Sequence, residues 1–272
     1  MTYITMFQLG KYGYLGNQMF QYAALIGIGT STNSTSVVPS GSYELVETFA
    51  VKSPTIDSIL SDPSTCCWTN RAERGFSYDP EMMSVVKNTN IHGYFQTEKY
   101  FAHCKDIIRA EYTFKDSAME DQVKKSIAGF KSTAVTKMPI VGIHVRRGDY
   151  LNLQHIHPFD EKYYESAINK MYEQHGRCHY VVVSDDIQWC KSFFTYQFAK
   201  YGTFAFSMSS YATDIALLCN VDHVIISNSS FSWWGAWLNK SETKTVIAPA
   251  KWFGASGPAD WSDIYCEGWT VI

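Results

Sequence analysis

PIVGIHVRRGDY, residues 139–150, is the stretch whose reading decides the fold. Its β-branched apolar run, Ile140 to Val145, gives way abruptly to Arg146, Arg147 and Asp149. An apolar run without polar alternation reads as a strand buried on both faces, the habit of a parallel sheet. Its end is expected to open onto a ligand crevice. Side chains alternate along a strand, so His144 and Arg146 share one face while Val145 and Arg147 take the other. Arg146 is therefore the candidate for an anionic ligand. A guanidinium is a permanent cation whose planar fork matches phosphate, and one such charge-assisted bond is worth about 1.5–3 kcal/mol. The alternative is a structural ion pair at the strand tip. Arg147 is expected to hold Asp149 or a helix end.

Downstream, residues 179–183, 203–208, 223–227 and 244–248 read as further strands. Residues 159–174, 187–200, 211–220 and 230–239 read as the helices between them. Tyr164, Ile168, Met171 and Tyr172 repeat at three-to-four spacing and are assigned to the core. Strands alternating with helices imply a right-handed, doubly wound parallel sheet. In Ser184-Asp185-Asp186 the carboxylates are read as caps for the next helix, with a metal-chelating pair as the rival. The Asn228-Ser229-Ser230 turn offers hydroxyls and helix-start amides, either to a phosphate or as a simple N-cap. Asp214 stands near a helix start, where it either caps or accepts paired bonds from guanine. Residues 232–237 read as buried helix. His155 and His157 lack a third ligand, so no metal is expected there.

Upstream, residues 3–9 read as a strand, broken by Gly10, Gly13 and Gly16 before a helix that begins at Asn17. Such a glycine loop lets backbone amides approach an anion. Residues 29–90 carry no clear pattern and are expected to hold acceptor-contacting loops. Residues 91–95 suit a strand and 97–108 a helix, which puts Gly93-Tyr94-Phe95-Gln96 either at an interdomain cleft or in a packed aromatic corner. Residues 115–130 form an amphipathic helix with Val123, Ile127 and Phe130 on one face, and 132–137 a linker.

The chain has 272 residues, 46% of them hydrophobic and 15% aromatic, ample for a packed core of one large or two ordinary domains. A net charge of -3 argues against a nucleic-acid binder working through a basic surface. Seven scattered cysteines, with no zinc spacing, suit reduced thiols in a cytoplasmic protein, at most peripheral to a membrane. The apolar run near residues 19–28 is too short to span a bilayer, and no leader pattern precedes it.

GIHVRRGDY (142–150) resembles the first signature of the α-1,2-fucosyltransferases, glycosyltransferase family 11, within the wider HxRRxD fucosyltransferase group. The resemblance recurs in GYLGNQMFQYA (13–23), HGYFQTEKYF (92–101), DIALLCNVDHVIISNSSFSWWGAWL (214–238) and APAKWF (248–253). It implies an α/β protein of GT-B type, two Rossmann-like domains facing a cleft, with residues 1–137 on the acceptor side and 138–272 binding the GDP-sugar. The implied reaction is an inverting transfer of L-fucose from GDP-fucose to a sugar hydroxyl, the 2-OH of a galactose in a glycan acceptor. With Arg146 available for the phosphates, no metal is expected, nor any cofactor besides the donor. By the same resemblance, Gly16, Asn17 and Gln18 close over the sugar diphosphate, Asp214 reads guanine, and Ser229 and Ser230, with Asn228, lie by the diphosphate. Tyr14 departs from the glycine or arginine that relatives carry there. Arg146 is assigned to the charge developing on the β-phosphate, and Asp149 and His144 are the candidates for taking the acceptor proton, or else for orienting Arg146. Two other readings stand beside this one: a transferase for another GDP-deoxyhexose, and a carbohydrate- or nucleotide-binding protein without turnover.

Overall fold

The computed structural model describes residues 2–59, 61–85, 87–133, 138–157 and 160–272. Its contacts divide the chain into two units, Met1–Asp116 with Asp260–Cys266, and Ser117–Ala259 with Glu267–Ile272.

The first unit runs β1 (Tyr3–Thr5), α1 (Leu15–Thr32), β2 (Thr35–Val37), α2 (Glu44–Thr48), β3 (Thr69–Ala72), β4 (Thr89–His92) and α3 (Lys105–Glu111). Its sheet has the order β2-β1-β4-β3, and every pairing is parallel. Helix α1 is buried on all sides from Gln18 to Gly29, which explains why its sequence is apolar all round rather than striped. Gly27 is required there, because a Cβ would lie 2.1 Å from the Tyr100 carbonyl. The β1 strand is shorter than residues 3–9, and Gly16 falls inside α1 rather than in the loop before it. In place of one helix over 97–108 the chain makes two 3-10 turns, Glu98–Tyr100 and Ala102–Cys104, before α3. Asp263, from the returning segment, accepts the Tyr78 amide (2.9 Å) and pairs with Lys99.

The second unit runs α4 (Ser117–Thr133), β5 (Ile140–Val145), α5 (Glu161–His175), β6 (Cys178–Ser184), α6 (Ile187–Phe194), β7 (Gly202–Phe206), α7 (Tyr211–Asn220), β8 (His223–Ile225), α8 (Ser230–Leu238), β9 (Val246–Ala248) and β10 (Thr270–Val271). Helix α4 joins this unit because it packs on α7, with Lys131 bound to Asp222 (2.6 Å) and Lys240 to Glu120 (2.9 Å). The linker expected at 132–137 lies largely outside the described residues, at 134–137.

The six strands are parallel in the order β10-β9-β8-β5-β6-β7. Every residue of β5 is buried, as its unbroken apolar run requires. On one face Val141, Ile143 and Val145 pack with Tyr164, Ile168 and Met171 of α5 and Phe194 of α6. On the other, Gly142 lets Leu218 and Val221 close onto the strand. From β5 the chain winds outward through β6 and β7, then returns to add β8, β9 and β10 on the opposite side. The gap between β5 and β8 is thus the topological switch point, where a doubly wound sheet leaves a crevice at its carboxyl ends.

Candidate active site

Arg146 stands one residue beyond β5, at that crevice. Its Nη2 lies 2.7 Å from Asp149 Oδ1 and its Nη1 3.2 Å from Asp185 Oδ2, and the guanidinium sits 5.3 Å from the centroid of the Tyr150 ring. Two carboxylates thus hold the fork, which retains 25% exposure. The approach of Asp185 depends on Gly148, where a Cβ would lie 2.5 Å from Asp185 Oδ2. Arg147 turns the other way, as alternation demands. Its Nε donates to Asp186 (3.1 Å), its guanidinium lies 4.1 Å from the Trp189 ring centroid, and its amide donates to Asp185 (2.9 Å). Asp186 is the N-cap of α6, accepting the Trp189 amide at 3.2 Å. Arg147 therefore holds a helix end, and Asp149 belongs to Arg146. The two acidic residues divide the work: Asp186 caps, and Asp185 braces the arginine tip.

His144 is buried, with Nδ1 2.8 Å from the Ser227 hydroxyl. Burial, then the nearby Arg146 charge, push its pKa down to about 3, so it is neutral at physiological pH. Ser229 caps α8 through the Phe231 amide (3.3 Å) and also meets the Tyr150 hydroxyl. Ser230 opens the helix. Asn228 spends its amide on two carbonyls, His157 at 3.0 Å and Trp252 at 2.8 Å, tying the turn to neighbouring loops.

Asp214 lies in the first turn of α7, but the cap there is Ser210, which accepts the Thr213 amide at 3.3 Å. The Asp214 carboxylate instead accepts the Ser207 hydroxyl at 2.5 Å. Burial raises its pKa to about 6, against the lowering effect of that bond. The half-buried Asp214 carboxylate is therefore not the cap of α7.

Beside Arg146, a cavity of about 290 Å³ opens at the strand ends, lined by Lys162, Lys251, His157, Ser227 and Asn228 among others. Tyr163 builds its wall, donating to the carbonyls of Ile226 (2.5 Å) and Ile247 (3.0 Å). The sequence does not single out Lys162, Lys251 or Tyr150 as ligand candidates, and it offers Asp185 only as a helix cap or as half of a metal-chelating pair. Lys251 sits within the quoted APAKWF segment, whereas Lys162 looks like any surface lysine of an amphipathic helix. Among the described residues, no group of three His, Cys, Asp or Glu side chains could hold a metal ion.

The other expected residues lie in the first unit, after β1. Gln18 is buried and braces the glycine turn, donating to Gly13 O (3.1 Å) and accepting the Leu45 amide (3.0 Å). Asn17 accepts from the Gln96 amide at 2.7 Å. Gly10 and Gly13 take φ of +84° and +75°, the left-handed region that glycine tolerates. Gly16 follows in the first turn of α1.

The family model for glycosyl transferase family 11 matches residues 1–272. The α-1,2-colitosyltransferase of Escherichia coli is 29% identical over 268 residues, covering 89% of this chain and 90% of that protein. The galactoside 2-alpha-L-fucosyltransferase Sec1 of Mus musculus is 27% identical over 250 residues, 88% of this chain but 66% of that protein. Among solved structures, the fucosyltransferase NodZ from Bradyrhizobium superposes with a TM-score of 0.54 at 12% identity, covering 95% of this chain and 97% of that one. POFUT1 in complex with GDP-fucose superposes with a TM-score of 0.53 at 14% identity, covering 91% and 98%. The fold is therefore α/β of GT-B type, as expected. No helix among the described residues is long and apolar enough to cross a membrane.

Proposed function

Because the chain belongs to glycosyl transferase family 11, we propose that it moves L-fucose from GDP-fucose to the 2-hydroxyl of a galactose, with inversion. The mouse galactoside relative and the GDP-fucose complex of POFUT1 support this reading. The donor is β-linked, so a single displacement gives the α-linkage and needs no covalent enzyme intermediate.

The carrying observation is Arg146 at the switch-point crevice, held by Asp149 and Asp185. Departure of GDP leaves charge on the β-phosphate, and a donor fork fixed beforehand stabilises that charge without reorganising during the reaction. Lys162 and Lys251 add positive charge to the same cavity. Ser229 and Ser230 offer the start of α8 to the diphosphate, with Asn228 shaping the turn. Asp214 accepts the N1 and N2 donors of guanine, and Gly16, Asn17 and Gln18, in the first turn of α1 behind the Gly10–Gly13 turn, approach the donor. Asp149 orients the fork, since its carboxylate is already engaged there. His144, neutral and a weak base, positions Ser227 and the strand tip. An oxocarbenium-like centre asks little of a base.

A second reading, transfer of another GDP-deoxyhexose, is favoured by the Escherichia coli colitosyltransferase. Galactose-terminated glycans incubated with GDP-fucose or GDP-colitose, with and without EDTA, test both. Fucosylated product with an α-1,2 linkage by NMR is expected, with EDTA leaving the rate unchanged. Transfer only from GDP-colitose would replace the first reading by the second, and GDP release from neither donor would overturn both.

A further inference from the structure

In the first unit, Tyr12 in the turn after β1 meets His92 at the end of β4, and Tyr94 follows two residues later. Tyr12 is 50% exposed and Tyr94 is 47% exposed. Tyr12 meets His92 edge-on, with ring centroids 6.1 Å apart at 80°. Large apolar side chains left open to water together mark a binding surface more often than scattered ones do.

The loop that presents Tyr94 is fixed more firmly than a surface turn needs. Glu73 Oε2 accepts the amides of Tyr94 (3.1 Å) and Phe95 (2.9 Å), and its Oε1 accepts the Tyr100 hydroxyl (3.0 Å). Gln21 donates to the Gly93 carbonyl at 3.3 Å, and Gln96 donates to Asn17 at 2.7 Å. Gly93 has φ +158°, and a Cβ there would lie 2.7 Å from Glu73. Phe95, wholly buried, is held at φ +54°, where a bulky side chain is rarely found. Strain of this kind persists only where the surroundings over-determine it, and it concentrates at ligand clamps.

We propose that Tyr12, His92 and Tyr94 form the subsite for the acceptor sugar, a terminal galactose, with Glu73 as the positioning residue that fixes the Tyr94 loop. The axial hydroxyl of galactose leaves one ring face as an unbroken patch of C–H groups. Those weakly positive hydrogens suit the negative face of a tyrosine ring. The tyrosine hydroxyls and the His92 ring supply hydrogen bonds to the sugar edge. This inference rests on the transferase reading above.

Initial rates measured against acceptor and donor separately test it. Tyr94→Ala and Tyr12→Ala are each expected to raise the KM for a galactose-terminated acceptor at least tenfold and the KM for GDP-fucose less than twofold. Glu73→Ala should raise the acceptor KM in the same way, and Glu73→Gln, which keeps an oxygen for the Phe95 amide, should restore most of the loss. GDP binding by calorimetry verifies that each variant is folded. Unchanged acceptor KM in both tyrosine variants overturns the subsite while leaving the transferase reading intact. A wild-type chain that transfers nothing from either GDP-sugar to galactose overturns that reading, and the subsite with it.

Discussion

The Nδ1 of His144 and the hydroxyl of Ser227 lie 2.8 Å apart, joining the tips of β5 and β8 across the switch point. Both residues are buried, at 5% and 3% exposure, so bulk water competes little for this bond. Ser227→Ala is expected to leave a buried ring nitrogen unsatisfied, costing about 1–3 kcal/mol. Urea unfolding at pH 7.5 checks this; a loss below measurement error would mean that Ser232 or water takes over.

Arg146→Ala should lower turnover by about 10²–10³, the loss found when one preorganised donor is removed from a developing oxyanion. Arg146→Lys keeps the charge but not the fork that Asp149 and Asp185 hold, and it should recover less than half of that loss in free energy. Asp149→Asn is expected to slow transfer while leaving the shape of the pH–rate profile unchanged. Loss of one limb of that profile would instead make Asp149 the base.

GDP affinity should weaken as pH falls through about 6, the value to which burial raises Asp214. Below that pH the carboxyl holds a proton and loses one acceptor site for the guanine donors. Asp214→Asn should bind GDP about tenfold more weakly or worse at pH 7.5, one bond to a charged group being worth about 1.5–3 kcal/mol. Its Kd should no longer vary with pH between 5 and 7.5, as calorimetry would record.

His223 predicts an acid-sensitive second unit. Its Nδ1 accepts the Thr245 amide (3.0 Å) and its ring stacks on His175 at 3.8 Å, with Asp222 and Lys131 also facing it. Burial first, then His175, lower its pKa to about 4, so the folded state binds this proton less readily than the unfolded state does. The resulting stability is complete above the unfolded value of about 6.5 and is lost as pH falls towards 4, with a slope of at most about 1.4 kcal/mol per pH unit. His144 acts in the same direction, with a window reaching down to about 3. Asp214 and Glu73, raised to about 6 and about 7, act oppositely, favouring the fold at low pH and losing that contribution as pH rises through those values. Thermal melts of His223→Gln should show a shallower decline between pH 6.5 and 4 than the wild type. Identical slopes would refute the assignment.

Helix α8 packs on α7 through Gly235, where a Cβ would lie 2.6 Å from Leu218 Cβ. Gly235→Ala should therefore destabilise by about 1–3 kcal/mol in spite of the better helix propensity of alanine. A fall in melting temperature of roughly 2–4 °C per kcal/mol would register it, and a rise would show that the helices can separate at no cost.

The second unit is largely legible because β5, β6, β8 and β9 carry apolar, mostly β-branched and mostly buried runs, whereas the edge strand β7, GTFAF, is mostly half-buried and shows itself by its aromatic residues. The two-residue strand β10 has no such pattern, and in β3 the sequence TNRA is polar and half-exposed, so its place in the first sheet comes from tertiary pairing. Arg146 was readable from its position at a strand tip. Its braces divide differently: Asp149 lies three residues away along the chain, while Asp185 arrives from the next strand. Asp214 was ambiguous between cap and ligand because Ser210 lies four residues earlier and only geometry shows which of the two caps. Lys162 and Lys251 face one cavity from distant segments, a convergence that no local spacing encodes.

The return of Asp260–Cys266 to the first unit means that the polypeptide threads between the two units three times. Neither can be excised by a single scission. Termination after Ala259 would strip the Asp263 anchor from Tyr78 and Lys99 and, at one stroke, remove the edge strand that pairs with β9. Dissection into autonomous fragments would need a rewired topology, with 260–266 grafted onto residues 1–116 and the remaining segments rejoined around it.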